Sequence, residues 1–312
     1  MVSLAAVLGN WRPFSEGESV SKPWWLVVTA MLSCFLVVGW VVGREAQAAG
    51  YPVLVGTGDI ARCSSPGAEA TARLLDAIPG TVFTTGDHAY ESGTATEFAD
   101  CYEPTWGRHK ARTKPSVGNH EYETPGAEPY FDYFGARAGS PGKGYYSYDR
   151  GEWHIVVLNS NCSEAGGCAA GSPQERWLKE DLAANATKCT LAYWHDPRFS
   201  SSANNPEVAP FWKDLYAAGA EVVLNGHAHN YERFAPQRPD GSRDTGRGIR
   251  EFVVGTGGVN HGAFKTIKEN SQVRNADTYG VLKLTLKPDS YDWKFVPVAG
   301  KAFTDSGTKG CH

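Results

Sequence analysis

Val82-Phe83-Thr84-Thr85-Gly86-Asp87-His88-Ala89-Tyr90 decides how this chain is to be read. Its first four residues are β-branched or aromatic and read as a buried strand, and the Gly-Asp that follows is a turn at the strand's end. A carboxylate, an imidazole and a phenol then arrive in quick succession. Four other stretches follow runs read as strands in the same way: Gly58-Asp59, Gly118-Asn119-His120-Glu121, Ala192-Tyr193-Trp194-His195 and Gly226-His227-Ala228-His229. Side chains delivered from successive strand ends converge on one crevice even when far apart in sequence. Asp, Asn, His and Tyr gathered in this way are metal donors, which makes a metal-dependent hydrolase the leading reading.

Outward from these motifs the chain alternates. Pro52-Val53-Leu54-Val55 reads as a short strand ending at Gly56, and Ala68 to Ala77 as a helix with Leu74, Leu75 and Ile78 on its apolar side. A second helix is expected around Ala95 to Tyr102. Tyr145–Tyr148 and Trp153–Leu158, split by Asp149-Arg150-Gly151, read as a hairpin. Ser172-Pro173-Gln174-Glu175 opens a helix that runs to about Asn185, with Ser at the N-cap and Glu placed for a capping box. Thr190–Trp194 and Glu221–Leu224 are strands that lead into histidines, and Glu251–Val254, Val281–Leu286 and Tyr291–Val296 continue the β pattern. No repeat or long linker interrupts residues 51–312, so one domain is expected. Its class is α/β: two mixed β-sheets packed face to face, with helices on the outside.

The N-terminal part is different material. Residues 1–23 precede Trp24 to Gly43, a continuous apolar run without a charge, flanked by Lys22 and Arg44. Such a run is long enough to span a bilayer as a helix, and Ala46-Gln47-Ala48-Ala49, within residues 44–50, fits a small-x-small cleavage site. A signal-peptide core and a retained membrane anchor both remain open. Either one exports the rest of the chain, giving a secreted or cell-surface protein.

Composition limits the alternatives. Of 312 residues, 41% are hydrophobic and 21% charged, which suits a packed core rather than a disordered chain. The net charge of -4 and the lack of a basic cluster argue against a nucleic-acid partner. Beyond Cys34 in the apolar run there are six cysteines, an even number that suggests disulfides in an exported chain. Six cysteines allow fifteen pairings. The preferred set is Cys63–Cys101, which would tie two site loops together, Cys162–Cys168, which would close a Gly-rich loop, and Cys189–Cys311, which would pin the C-terminus.

The five motifs, in order from Val53 to Arg233, resemble the calcineurin-like metallophosphoesterases, and within them the purple acid phosphatases. The resemblance implies that Asp59, Tyr90 and His229 hold one metal, that Asn119, His195 and His227 hold another, and that Asp87 bridges the two. Tyr90 is the discriminating residue. Many members of the superfamily carry His two residues after the first Asp, where this chain has Ala61. Tyr90, three residues after Asp87, matches the purple acid phosphatase pattern instead. A phenolate implies Fe(III) beside it, with Zn, Fe or Mn at the other position. A metal pair ~3.5–4 Å apart activates water and clamps phosphoryl oxygens, so a metal-bound hydroxide would attack a phosphomonoester. His120 would stabilise charge or protonate the leaving group, with Glu121 as its orienting neighbour.

Two departures from the pattern stand out. Ala61 occupies a place often held by Gly, and Asp196 adds a carboxylate directly after His195. His88, Asp196 and His261 are candidates for contact with the ligands or the substrate. His154 reads as a packed or edge strand residue and His109 as a solvated loop residue. The small-molecule substrate leaves two rivals open, a phosphodiesterase acting on nucleotides or lipid head groups and a surface metal-binding protein without catalysis. Oligomeric state is not encoded in any of these features.

Overall fold

The computed structural model describes residues 50–312; the expected apolar helix over residues 24–43 lies outside the described residues. Among the described residues no helix is long and apolar enough to cross a membrane.

Six strands form the first sheet: β1 (Val53–Thr57), β2 (Thr81–Thr85), β3 (Thr113–Ser116), β11 (Gly280–Lys287), β12 (Ser290–Pro297) and β13 (Ser306–Gly310). They lie in the order β13-β12-β11-β1-β2-β3, with β1, β2 and β3 parallel and the others antiparallel. Seven strands form the second: β4 (Tyr146–Arg150), β5 (Trp153–Val157), β6 (Cys189–Tyr193), β7 (Val222–Asn225), β8 (Tyr231–Phe234), β9 (Arg250–Val254) and β10 (Ser271–Asn275). Their order is β10-β8-β9-β7-β6-β5-β4, and β5, β6, β7 and β9 run parallel. Both sheets are therefore mixed, as expected.

The hydrophobic pattern explains the stacking. Leu54, Phe83, Leu282 and Leu284 from the first sheet meet Ile155, Leu191, Leu224 and Phe252 from the second in one buried cluster. The opposite face of the first sheet, through Val55, Val82 and Val281, packs on Ala68, Ala72 and Leu75 of α1 (Gly67–Ala77). The opposite face of the second, through Val156, Ala192 and Val223, packs on two further helices. One supplies Leu178 and Leu182 from Pro173–Ala184, and the other Phe211, Trp212 and Leu215 from Ala209–Ala217. Strands buried on both faces read as near-continuous apolar runs, which is why β5, β6 and β7 were legible.

Local details differ from expectation in three places. The helix expected at Ala95–Tyr102 is a single turn, Ala95–Glu97, that widens into a π-helical turn over Phe98–Tyr102. The complete capping box lies there, between Thr94 and Glu97. At Ser172 the hydroxyl accepts from the Glu175 N–H, but the Glu175 carboxylate reaches the Gly171 N–H instead of closing the box. The strand before Asn119 is also polar, Thr113-Lys114-Pro115-Ser116. Proline is tolerated because β3 is an edge strand. All three preferred cysteine pairs are joined: Cys63–Cys101, Cys162–Cys168 and Cys189–Cys311.

Candidate metal centre

The parallel strands of both sheets point their C-terminal ends at one crevice. Asp59 follows β1, Asp87 and Tyr90 follow β2, Asn119 follows β3, His195 follows β6, and His227 and His229 follow β7. The backbone is held in an uncommon state to aim them. Asp59, Asp87, His227 and His229 all have positive φ, between 51° and 67°. Such conformations cost energy in non-glycine residues, and they persist only where the surroundings impose them. Glycines make the space: a Cβ on Gly118 would lie 2.2 Å from Asp87 Oδ1, and one on Gly255 would lie 2.5 Å from Asp59 Oδ2.

Two donor groups result. In the first, the Tyr90 hydroxyl lies 3.0 Å from Asp59 Oδ1, 2.8 Å from Asp87 Oδ2 and 3.2 Å from His229 Nε2. Donor atoms of Asp59, Asp87 and His229 all fall within 4.8 Å of one another. In the second, Asn119 Oδ1 lies 2.9 Å from His195 Nε2 and 3.0 Å from His227 Nδ1, and the two ring nitrogens are 3.2 Å apart. Asp87 Oδ2 belongs to both, since it is also 3.2 Å from His195 Nε2.

Each aspartate divides its labour. Asp87 Oδ1 accepts the His120 N–H at 2.9 Å and Asp59 Oδ2 accepts the His227 N–H at 2.9 Å, which leaves one oxygen of each carboxylate aimed at the cluster. His195 is fixed in the same spirit. Its Nδ1–H donates to the Thr85 carbonyl at 2.7 Å, so in the neutral ring Nε2 presents a lone pair to the cluster.

These residues fit a pair of cations on chemical grounds. The His195 Nε2 lone pair faces an amide oxygen and a carboxylate oxygen, both acceptors, with the His227 Nδ1 beside them. Protonation relieves part of this conflict: burial opposes it, but the Asp87 charge lifts the His195 imidazole well above its usual range. Burial likewise opposes ionisation of Asp87, yet His195 draws it below the usual carboxylate range. One proton does not satisfy the rest. Burial and the neighbouring His195 hold His227 down. Burial and the fields of Asp59 and Asp87 push the Tyr90 phenol far up, so it ionises only beside a strong positive charge. Seven donors converging on two adjacent positions, with Asp59, Asp87 and His195 fully buried, are what cations require.

The other sequence candidates divide into those at the centre and those elsewhere. The His120 ring stands 4.3 Å from the Tyr90 ring, with Nε2 3.9 Å from Asp87 Oδ2. Its Nδ1 bonds to the Glu91 carbonyl, which only accepts, so the proton sits on Nδ1 and Nε2 faces the cluster. Glu121 does not orient this ring. Its buried carboxylate accepts the backbone N–H groups of Asp87, His88 and Gly118, at 3.0, 2.6 and 2.8 Å, and so locks the loops after β2 and β3 together. His88 turns away from the crevice and bonds Thr84 Oγ1 at 2.6 Å, among Phe98, Tyr102, Tyr130 and Phe134. Asp196 Oδ1 is 3.6 Å from His227 Nε2, and its Oδ2 accepts from Ser160. His261 stacks on Tyr279 with ring centroids 4.2 Å apart, in a segment whose Gly262 N–H bonds the His229 carbonyl.

Two background histidines are also placed. His109 is buried, not solvated, and its Nε2 lies 3.2 Å from the Ala72 carbonyl, because the basic segment folds back over α1. His154 is packed, as expected. Sequence reasoning missed the Gly255-Thr256-Gly257 turn after β9. It carries no metal donor to betray it, yet Gly257 N–H bonds the Gly58 carbonyl and supports the Asp59 turn.

Known proteins share this architecture. The family model described as calcineurin-like phosphoesterase matches residues 53–231. Purple acid phosphatase 15 of Arabidopsis thaliana is 28% identical over 204 residues, covering 53% of this chain and 38% of that protein. Uncharacterized protein Rv2577 of Mycobacterium tuberculosis is 26% identical over 185 residues, covering 46% of this chain and 35% of that one. The chain thus spans well under half the length of these curated relatives. Among solved structures, purple acid phosphatase PPD1 from yellow lupin seeds superposes with a TM-score of 0.69 at 19% identity, over 83% of this chain and 53% of that one. GAP50, the anchor in the inner membrane complex of Plasmodium, gives 0.66 at 12% identity, over 84% and 90%. At these identities the structural likeness speaks for the fold.

Proposed function

The chain belongs to the calcineurin-like phosphoesterase family, and from that premise we propose that it is a phosphomonoesterase of the purple acid phosphatase kind, working with two metal ions. The carrying observation is Asp87 Oδ2, which lies within 3.2 Å of donors from both groups. Asp59, Tyr90 and His229 would hold one ion, Asn119, His195 and His227 the other, and Asp87 both. Cations held there would lower the pKa of a bound water and neutralise phosphoryl oxygens. The Tyr90 phenol argues for Fe(III) in the first position and a divalent ion, Zn, Fe or Mn, in the second.

The chain's own residues supply the rest. The Thr85 carbonyl fixes the His195 tautomer and the Glu91 carbonyl fixes that of His120. His120 Nε2 is the atom that would carry a proton to the leaving oxygen of the ester, because the residue stands outside the two donor groups with that nitrogen 3.9 Å from Asp87 Oδ2. Glu121 keeps the loops bearing Asp87 and Asn119 in register through three backbone hydrogen bonds. An exported or membrane-anchored protein is supported by the three disulfides and by the apolar run at Trp24–Gly43.

Hydrolysis of an aryl phosphomonoester and a bis-aryl diester by the purified protein tests this reading. Faster turnover of the monoester is expected, and preference for the diester would favour the phosphodiesterase alternative. Binding of metal without cleavage of either would leave a metal-binding protein. The Fe(III) assignment has its own readout: visible absorption from phenolate charge transfer, lost in Tyr90→Phe.

A further inference from the structure

Arg62 stands next to the donor cluster without belonging to it, three residues beyond Asp59 in the loop after β1. The Cys63–Cys101 disulfide pins that loop. The guanidinium carbon lies 5.7 Å from the centroid of the Tyr90 ring, and one terminal nitrogen pairs with the Glu91 carboxylate. The Nε is buried without any hydrogen-bond partner. A planar fork with five N–H donors is therefore mostly uncommitted. Its ionic partner among the described residues is weakly held, since the two side chains are 33% and 61% exposed and water screens such pairs. Glu91 also links the pair to the site, because its carbonyl binds His120 Nδ1.

Position tells which part of a substrate Arg62 meets. Tyr90 turns its hydroxyl, not its ring, toward Asp59 and Asp87. The guanidinium lies over that ring, so it stands beside the donor cluster and not within it. The donors serve a phosphoryl group seated on them, and an off-centre cation such as this one is suited to a further anionic group attached to it. We infer that Arg62 reads a second anionic group on the substrate, replacing the Glu91 carboxylate with a phosphate or phosphonate oxygen pair. The site then favours phosphoanhydrides and bisphosphorylated esters over simple monoesters. The inference rests on the phosphatase reading for the identity of the scissile group.

Titration calorimetry on the full-length, metal-loaded protein with methylenediphosphonate and with inorganic phosphate tests this without turnover. Wild type should prefer the diphosphonate, and Arg62→Gln should reduce that preference about tenfold or more, as expected for loss of a bidentate charge-assisted contact. Arg62→Lys should recover part of it, keeping the charge but not the fork. Glu91→Gln should strengthen diphosphonate binding by removing the competitor. Equal weakening of both anions in Arg62→Gln, or an unaltered preference, overturns the inference. A wild type that binds both anions but hydrolyses no ester contradicts the phosphatase reading and leaves the Arg62 comparison decided by the same titrations; one that binds neither overturns both.

Discussion

Two of the places where a buried histidine meets carboxylates in this molecule are built differently. At the crevice, His195 Nε2 and His227 Nδ1 face each other and the Asn119 oxygen, an arrangement in which acceptors outnumber hydrogens. On the second sheet His154 lies between Asp149 and Asp181, at 2.9 and 2.8 Å, with one carboxylate for each ring nitrogen. Asp181 in turn accepts from the Ser147 hydroxyl at 2.7 Å. The second cluster is complete with a proton on each nitrogen. The first is not, and four of its donors, Asp59, Asp87, His227 and His229, sit at positive φ. Histidine beside aspartate does not by itself point to a metal; the proposed centre rests on donors that crowd one another without enough hydrogens to share.

Substitutions sharpen that contrast. The largest effect is expected for Asp87→Asn, which weakens both donor groups at once. Steady-state kinetics with an aryl phosphate should show kcat/KM lower by about 10³-fold or more, roughly 4 kcal/mol of barrier. A smaller drop would mean that Asp87 serves one ion only. His120→Ala comes next, with kcat expected to fall about 10²–10⁴-fold while metal content stays at the wild-type level. Using a substrate with a very acidic leaving group should shrink that loss, since such a group departs without protonation. A loss independent of the leaving group would assign His120 to binding instead.

His154→Asn should give the smallest effect, one on stability alone. Burial opposes charge on His154, but hydrogen bonds and the fields of Asp181 and Asp149 outweigh it and raise the imidazole above its usual value. Asp149 is 67% exposed, so water screens its share and Asp181 carries most of the interaction. A raised folded value means that the stabilisation is fully present below pH ~6.5 and is lost as pH climbs through the raised value. At pH 5.5 the variant should melt about 4–8 °C below wild type, equivalent to roughly 2 kcal/mol, and the gap should narrow at pH 9. A gap that widens with pH, or a variant with altered metal content, would erase the distinction between the two clusters.

The centre was more legible in the sequence than its supports. Asp59, Asp87, His195, His227 and His229 announce themselves because each is a metal-type donor just past a strand. The layers were legible too, from apolar runs such as Trp153–Val157 and Cys189–Tyr193. What escaped depends on backbone groups, which a sequence does not display. Glu121 was expected beside His120 because the two are adjacent in sequence, but its partners are three N–H groups from two loops. The Gly255–Gly257 turn works through the absence of side chains, and Arg62 was passed over because its neighbour Glu91 lies 29 positions away. The edge strand β3 has no apolar signature of its own, and its position follows from pairing with β2.

Elemental analysis of the purified protein, wild type beside Asp87→Asn, tests the account at its centre. Two metal ions per chain in the wild type, with the pair lost in the variant, is the predicted result. A fully active wild type holding one ion or none, or a variant that retains both, would contradict it.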